Sequence, residues 1–217
     1  MIVWTQQDIS FLDDLEQNGI AYCTRESWLC NEYRFAYDWM VKQMHLRLGP
    51  PPMPQIKYPL WCWVQYGSYK ARKPKFTPNK VDGKYLHEVF IEADIPEVLL
   101  LESNFHLWGW HCMNGWHIGD KALEREVDAF AKANHIQHGA YFHQYTTELQ
   151  GKIQKSWECI FDMNYRNKRY NNRPRRNKSI QATFWLLRKE WVRSVRFYTP
   201  LTPLKGGTPG FEPQRSQ

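Results

Sequence analysis

Residues 155–198 read KSWECIFDMNYRNKRYNNRPRRNKSIQATFWLLRKEWVRSVRFY, and this stretch decides the fold class. Ser179 to Trp185 is rich in β-branched and aromatic residues and reads as a strand. Val192 to Tyr198 sets Val192, Ser194 and Arg196 against Arg193, Val195 and Phe197, the period of a second strand. Between them, Leu187 to Trp191 is long enough for one helical turn. Upstream, Leu149, Ile153, Trp157 and Ile160 fall on one stripe of a helix that Thr146 or Thr147 starts. Two strands and a helix within one run, with helices before them, point to an α+β domain.

Working back toward the N-terminus, Asp120 caps a helix carrying Leu123, Val127 and Phe130. Ser103 can cap a short helix with Phe105, Leu107, Trp108 and Met113, closed by Asn114 and Gly115. Tyr85–Ala93 and Glu97–Leu101 are strand candidates. Tyr58–Tyr66 places Trp61 and Trp63 on one face and Leu60, Cys62 and Val64 on the other. Both faces are apolar, so this strand is expected to be central. A helix from about Glu32 to Leu48 carries Tyr33, Tyr37, Met40 and Met44 and stops at Gly49-Pro50-Pro51-Pro52. Ile2 to Trp4 opens the chain as a short strand. Thr5 to Asp8 matches a capping box for a helix with Ile9, Leu12 and Leu15 that ends near Asn18-Gly19. The expected architecture is a small mixed or antiparallel sheet, or sheets, closed by the N- and C-terminal strands, with helices inserted between. Residues 1–198 form one domain, and 199–217, with four prolines and three glycines, a disordered tail.

The chain has 217 residues and a net charge of +7. Arg166, Lys168, Arg169, Arg173, Arg175, Arg176 and Lys178 supply seven positive charges within one loop, equal to the whole excess. A second basic segment runs from Tyr69 to Lys84. Concentrated basicity raises single-stranded RNA or DNA as a partner; the plainer reading is a solvated loop. Eleven tryptophans and twelve tyrosines offer faces for stacking on bases, nicotinamide or adenine as well as core material. No apolar run is long enough to span a bilayer and no leader pattern opens the chain. Five scattered cysteines without CxxC fit a reducing cytoplasm. Eight histidines form no HExxH, so no metal is expected. The absence of GxGxxG, GxxxxGK[ST] and GxSxG argues against Rossmann, P-loop and serine-hydrolase chemistry.

A polar set set among aromatic motifs remains. Thr5 follows Trp4 on the first strand. Arg34 and Asp38 are i, i+4 neighbours flanking Tyr37, and a surface ion pair explains them equally well. Asn114 reads as a helix C-cap. Glu158 lies at a helix end. Gln181 opens a buried strand, where an amide needs a backbone partner or a ligand.

The strings Trp4-Thr5, Phe35-Ala36-Tyr37-Asp38-Trp39-Met40, Trp61-Cys62-Trp63, Lys155-Ser156-Trp157-Glu158 and Ser179-Ile180-Gln181-Ala182-Thr183-Phe184-Trp185 resemble a bacterial family catalogued only as a domain of unknown function, over about residues 1–198. The layout is also similar to that of ADP-ribosyltransferases: a polar residue on the first strand, an aromatic middle, a late strand opening on Glu or Gln, then a turn and a V-x-x-V-x-F strand. That second resemblance implies a crevice that binds NAD as substrate, with Trp4, Thr5, Arg34, Tyr37, Asp38, Trp61 and Trp63 around it. Gln181 stands where the transferases carry glutamate, and Glu158 is the candidate for the missing anion. The expectation is a cytoplasmic NAD-dependent ADP-ribosyltransferase, a toxin or defence effector with a cognate antitoxin protein, acting on single-stranded nucleic acid. The rivals are a non-catalytic nucleic-acid-binding module and an RNase using a His/Glu pair.

Overall fold

Trp4 sits opposite Trp63 on one neighbouring strand and opposite Glu92 on the other, so the first strand lies inside the sheet and not at its border. The computed structural model describes residues 1–23, 31–67, 72–75, 80–81, 84–85, 87–136, 142–169 and 171–197. In chain order the elements are β1 (Ile2–Asp8), α1 (Ser10–Asn18), β2 (Ile20–Tyr22), α2 (Arg34–Leu48), β3 (Leu60–Gln65), β4 (Lys80–Val81), β5 (Lys84–Tyr85) and β6 (Glu88–Asp94). There follow β7 (Leu101–Asn104), α3 (Phe105–Leu107), α4 (Lys121–Ala133), α5 (Thr147–Ser156), β8 (Ile180–Phe184), β9 (Leu186–Arg188) and β10 (Val192–Phe197). The chain is therefore α+β, and its main sheet has six strands in the order β10-β6-β1-β3-β8-β7. Every pairing in that sheet is antiparallel. The C-terminal strand lies at one border beside β6, away from β1. The expected tail, 199–217, lies outside the described residues.

Alternation along the strands sends side chains to two cores. One face carries Val3, Cys62, Val64, Ile91, Ala182 and Phe184, and packs on Leu15 of α1 and on Ala21 and Leu187. Ala21 and Leu187 belong to the β2–β9 ribbon. The opposite face meets α2, which buries Ala36, Trp39, Met40, Gln43 and Met44. These positions follow the i, i+3, i+4, i+7 rule for one helix stripe. Trp108, Trp157 and Ile160 complete that second core.

Several expectations shift by a residue or two for local reasons. Thr5 does not cap α1: β1 continues to Asp8, and Asp8 Oδ1 accepts from Ser10 N and Ser10 Oγ (2.9 and 2.6 Å). Gly19, at φ 71°, ends α1. Glu97–Leu99 is a 3-10 turn after Pro96, and the strand begins at Leu101. Ser103 lies within β7, and the cap of α3 is Asn104, whose side chain accepts from His106 N and Leu107 N (3.1 and 3.2 Å). Asp120 and Thr146 cap α4 and α5 as their sequence positions predict. Among the described residues no helix is long and apolar enough to cross a membrane.

Candidate functional site

Two strands and the helical turns that face them build one cleft. In the sheet, Trp63, Gln181 and Ser103 are Cα partners across β3, β8 and β7, with Trp61, Thr183 and Leu101 in the row beside them. The turn before α2 and the first turn of α2 bring Tyr33 and Tyr37 to the cleft, where Trp61 and Gln181 of these two rows line it. The far wall comes from α3 and the π-helical turn Trp108–Cys112 that continues it. Phe105 N donates to Ser179 O at 3.1 Å, which fastens α3 to the start of β8. The wider π turn places Trp108 and Gly109 on the cleft. Asn114 Nδ2 donates to Gly109 O and Trp110 O (3.2 and 3.1 Å), so Asn114 both caps that turn and faces the cleft.

The result is a cleft of about 430 Å³, within the usual size range of small-molecule sites. Tyr37 meets Trp61 and Trp108 edge-on at 6.1 and 5.7 Å, and Trp61 lies 5.0 Å from Trp108. Gln181 lies at its base and is 6 % exposed. Among the described residues Gln181 Nε2 and Trp61 Nε1 are buried without a hydrogen-bond partner, and so is Ser103 Oγ in the next register position. Leaving such a donor unmatched costs about 1–3 kcal/mol, so a group of them in one place calls for a ligand or a strain account. The described lining contains no Asp, Glu, Lys, Arg or His. At its border, next to Phe105, burial lowers the His106 pKa, and the Arg173 charge lowers it further.

The cleft gathers Tyr37, Trp61 and Gln181 from the expected set. Trp63 stands one step outside it, against Phe105 at 4.8 Å. Trp4 turns toward β6, where its Nε1 donates to Glu92 (2.8 Å). Thr5, its neighbour in an alternating strand, faces the other core and donates to Trp61 O (2.7 Å), so it props the Trp61 backbone from behind. Arg34 and Asp38 lie on α2 outside the lining. Glu158, on the 3-10 turn Trp157–Phe161, pairs with Lys155 at 2.8 Å and is outside the lining as well.

The basic loop is anchored, not loose. Lys178 is 1 % exposed, and its Nζ donates to Met163 O and Tyr165 O (2.6 and 2.8 Å). Held there it is a strut of the loop, unlike the exposed bases with which the sequence groups it. Gln65 Nε2 donates to the carbonyls of Lys178 and Arg176 (2.8 and 3.1 Å), tying the loop to the end of β3. Arg175 pairs with Glu102 at 2.8 Å, and Arg169 with Glu124. Arg166, Lys168, Arg173 and Arg176 are exposed.

Phe105, Trp108 and Met113 are visible in the sequence only as the apolar stripe of a short helix. Their place on the cleft follows from the π turn, which has no sequence signature of its own here. Ser103 gives a signal only once its pairing with Gln181 is known. Among the described residues no group of three or more His, Cys, Asp or Glu side chains is placed to hold a metal ion. A family model described as "Domain of unknown function (DUF3841)" matches residues 2–193. The comparison with curated proteins returned no match, and neither did the comparison with solved structures.

Proposed function

The chain belongs to the DUF3841 family, and on that premise we propose that the cleft receives the nicotinamide end of NAD and that the domain transfers ADP-ribose from it. The observation that carries this reading is Gln181 Nε2, a buried donor with no partner at the base of a cleft walled by Tyr37, Trp61 and Trp108. A nicotinamide ring suits such walls by stacking or edge contact. Its carboxamide oxygen suits a donor amide, and the indole N–H of Trp61 offers a second donor.

Cleavage of the nicotinamide–ribose bond develops oxocarbenium charge at the ribose carbon. An oriented carbonyl dipole stabilises that charge less than a carboxylate does. With glutamine at position 181 and Glu158 outside the lining, slow turnover is the expectation. The experiment is incubation of the full chain with NAD and chromatographic measurement of nicotinamide. Release above a protein-free control supports the reading; no release, with or without added protein and nucleic-acid acceptors, contradicts it.

One observation favours a second reading. Glu158 is held by Lys155 outside the cleft, and the described lining has no carboxylate. A non-catalytic nucleic-acid-binding module needs none. That module would bind nucleic acid in a salt-dependent manner and release no nicotinamide.

A further inference from the structure

A row of rings leaves the cleft and runs over the sheet to the basic loop. Phe105, on the cleft wall, lies 4.8 Å from Trp63, and Trp63 lies 4.9 Å from Tyr66. The row becomes more open outward: Phe105 and Trp63 are half-buried, and Tyr66 is 46 % exposed. The backbone of the arginine loop is fastened beside its outer end. Gln65, the residue before Tyr66, holds the carbonyls of Arg175 and Arg176 (3.2 and 3.1 Å). Gly67, the residue after it, donates its N–H to Ser179 Oγ at 3.1 Å. The outer ring and the arginine loop are thus knit together through adjacent backbone positions. At the inner end, Arg173 is close enough to His106 to disfavour its protonation, and His106 adjoins Phe105.

We propose that this row is a track for single-stranded nucleic acid, with Tyr66, Trp63 and Phe105 stacking on unpaired bases and Arg173 and Arg176 meeting phosphates. The rings are turned against one another, by 86° between Trp63 and Tyr66 and 59° between Phe105 and Trp63, so they suit splayed, unpaired bases, and the adjoining arginine loop suits the phosphates between them. A duplex hides its base faces and cannot use the rings. An acidic peptide could use the arginines but would leave the rings idle. The track ends at Phe105, which also walls the cleft. This rests on the cleft reading only for what the strand would be delivered to; binding itself needs no NAD.

The test is fluorescence polarisation of the full chain, without NAD, against labelled oligonucleotides of about 12 nucleotides. Oligo-U RNA, oligo-dT DNA, a duplex of equal length and poly-glutamate of equal charge are compared over a series of salt concentrations. Both single strands, or one of them, bind more tightly than the duplex and the polyacid, and the two arms tell RNA from DNA. Tyr66→Ala weakens single-strand binding by about 5- to 150-fold, the range for removing one stacking ring. Tyr66→Phe keeps it. Replacing Arg173 and Arg176 together by Ala lowers the logarithmic salt slope by about 1.4. Melting temperatures confirm that the variants are folded, and Tyr66→Phe against Tyr66→Leu decides the matter if Tyr66→Ala is unfolded. The proposal is overturned if neither single strand binds at low salt, if polyacid or duplex binds as tightly as the single strands, or if a folded variant without the ring binds like wild type. Because NAD is absent, such a result leaves the cleft reading standing, and failure to release nicotinamide leaves the track standing.

Discussion

Gln181 and Ser103 are directly opposed on β8 and β7, and each carries a buried donor with no partner among the described residues. Replacing Gln181 by Met keeps the volume and removes the unmatched amide. We expect Gln181→Met to hold or raise stability by up to about 1–2 kcal/mol, the cost of an unsatisfied buried group. It should at the same time abolish NAD binding. Thermal melts with and without NAD measure both. A variant that is strongly destabilised would show that the amide is a structural member of the core.

Lys178 should behave as a core residue. Lys178→Ala strands the carbonyls of Met163 and Tyr165, and we expect a loss of about 2–4 kcal/mol in urea denaturation. Its pKa in the fold is lowered from the ordinary 10.5, chiefly by burial. The native state therefore gives up this proton at lower pH than the unfolded chain. Between the lowered value and 10.5 the unfolded state binds more protons, so this group's contribution makes stability rise with pH in that window. Lys178→Met should remove that rise.

His106 reports on the loop. Its pKa lies below the ordinary 6.5, first because of burial and second because of Arg173. The stability tied to its neutral form is present above 6.5 and is lost as pH falls through the lowered value. Arg173→Ala should move the His106 titration midpoint upward, only part of the way to 6.5, because burial remains. Proton NMR of the imidazole measures this. An unmoved midpoint would place Arg173 away from the cleft border.

Gly119 has φ 79°, and a Cβ built there would collide with Tyr165 Oη. Gly119→Ala should cost about 1–3 kcal/mol. Adding Tyr165→Ala should return the collision part of that cost but not the backbone part. A double-mutant cycle by urea denaturation separates them.

How much of this was legible in the sequence depends on how local each signal is. The strands around Gln181 and Val195 and the helix stripe through Met40 and Met44 are fixed by nearby periodicity, and they appear where expected. The sequence offers one helical turn over Leu187–Trp191, whereas only Lys189–Trp191 is helical and Leu186–Arg188 is a strand that exists through pairing with Ile20–Tyr22 near the other end of the chain. Three residues carry no usable period. Thr5 matched a capping pattern yet lies inside β1, since the sheet's long-range ladder with β6 overrides a local cap. Lys178 looked like one more surface base in a basic run. Only the fold of the loop, which wraps two carbonyls around its ammonium group, sets it apart. Tyr37, Trp61 and Gln181 enter as candidates through the ADP-ribosyltransferase resemblance, which equally names Trp4, Thr5, Arg34, Asp38 and Trp63 outside the cleft lining, and the π turn that brings Trp108 to the cleft has no sequence signal.

The most direct measurement is tryptophan fluorescence of the full chain titrated with NAD and with nicotinamide, because Trp61 and Trp108 both line the cleft. The account predicts a saturable change in emission with each ligand. It also predicts loss of that change in Gln181→Met, a variant whose melting temperature is held or raised. A flat titration with both ligands, or an equal response in Gln181→Met, would contradict it.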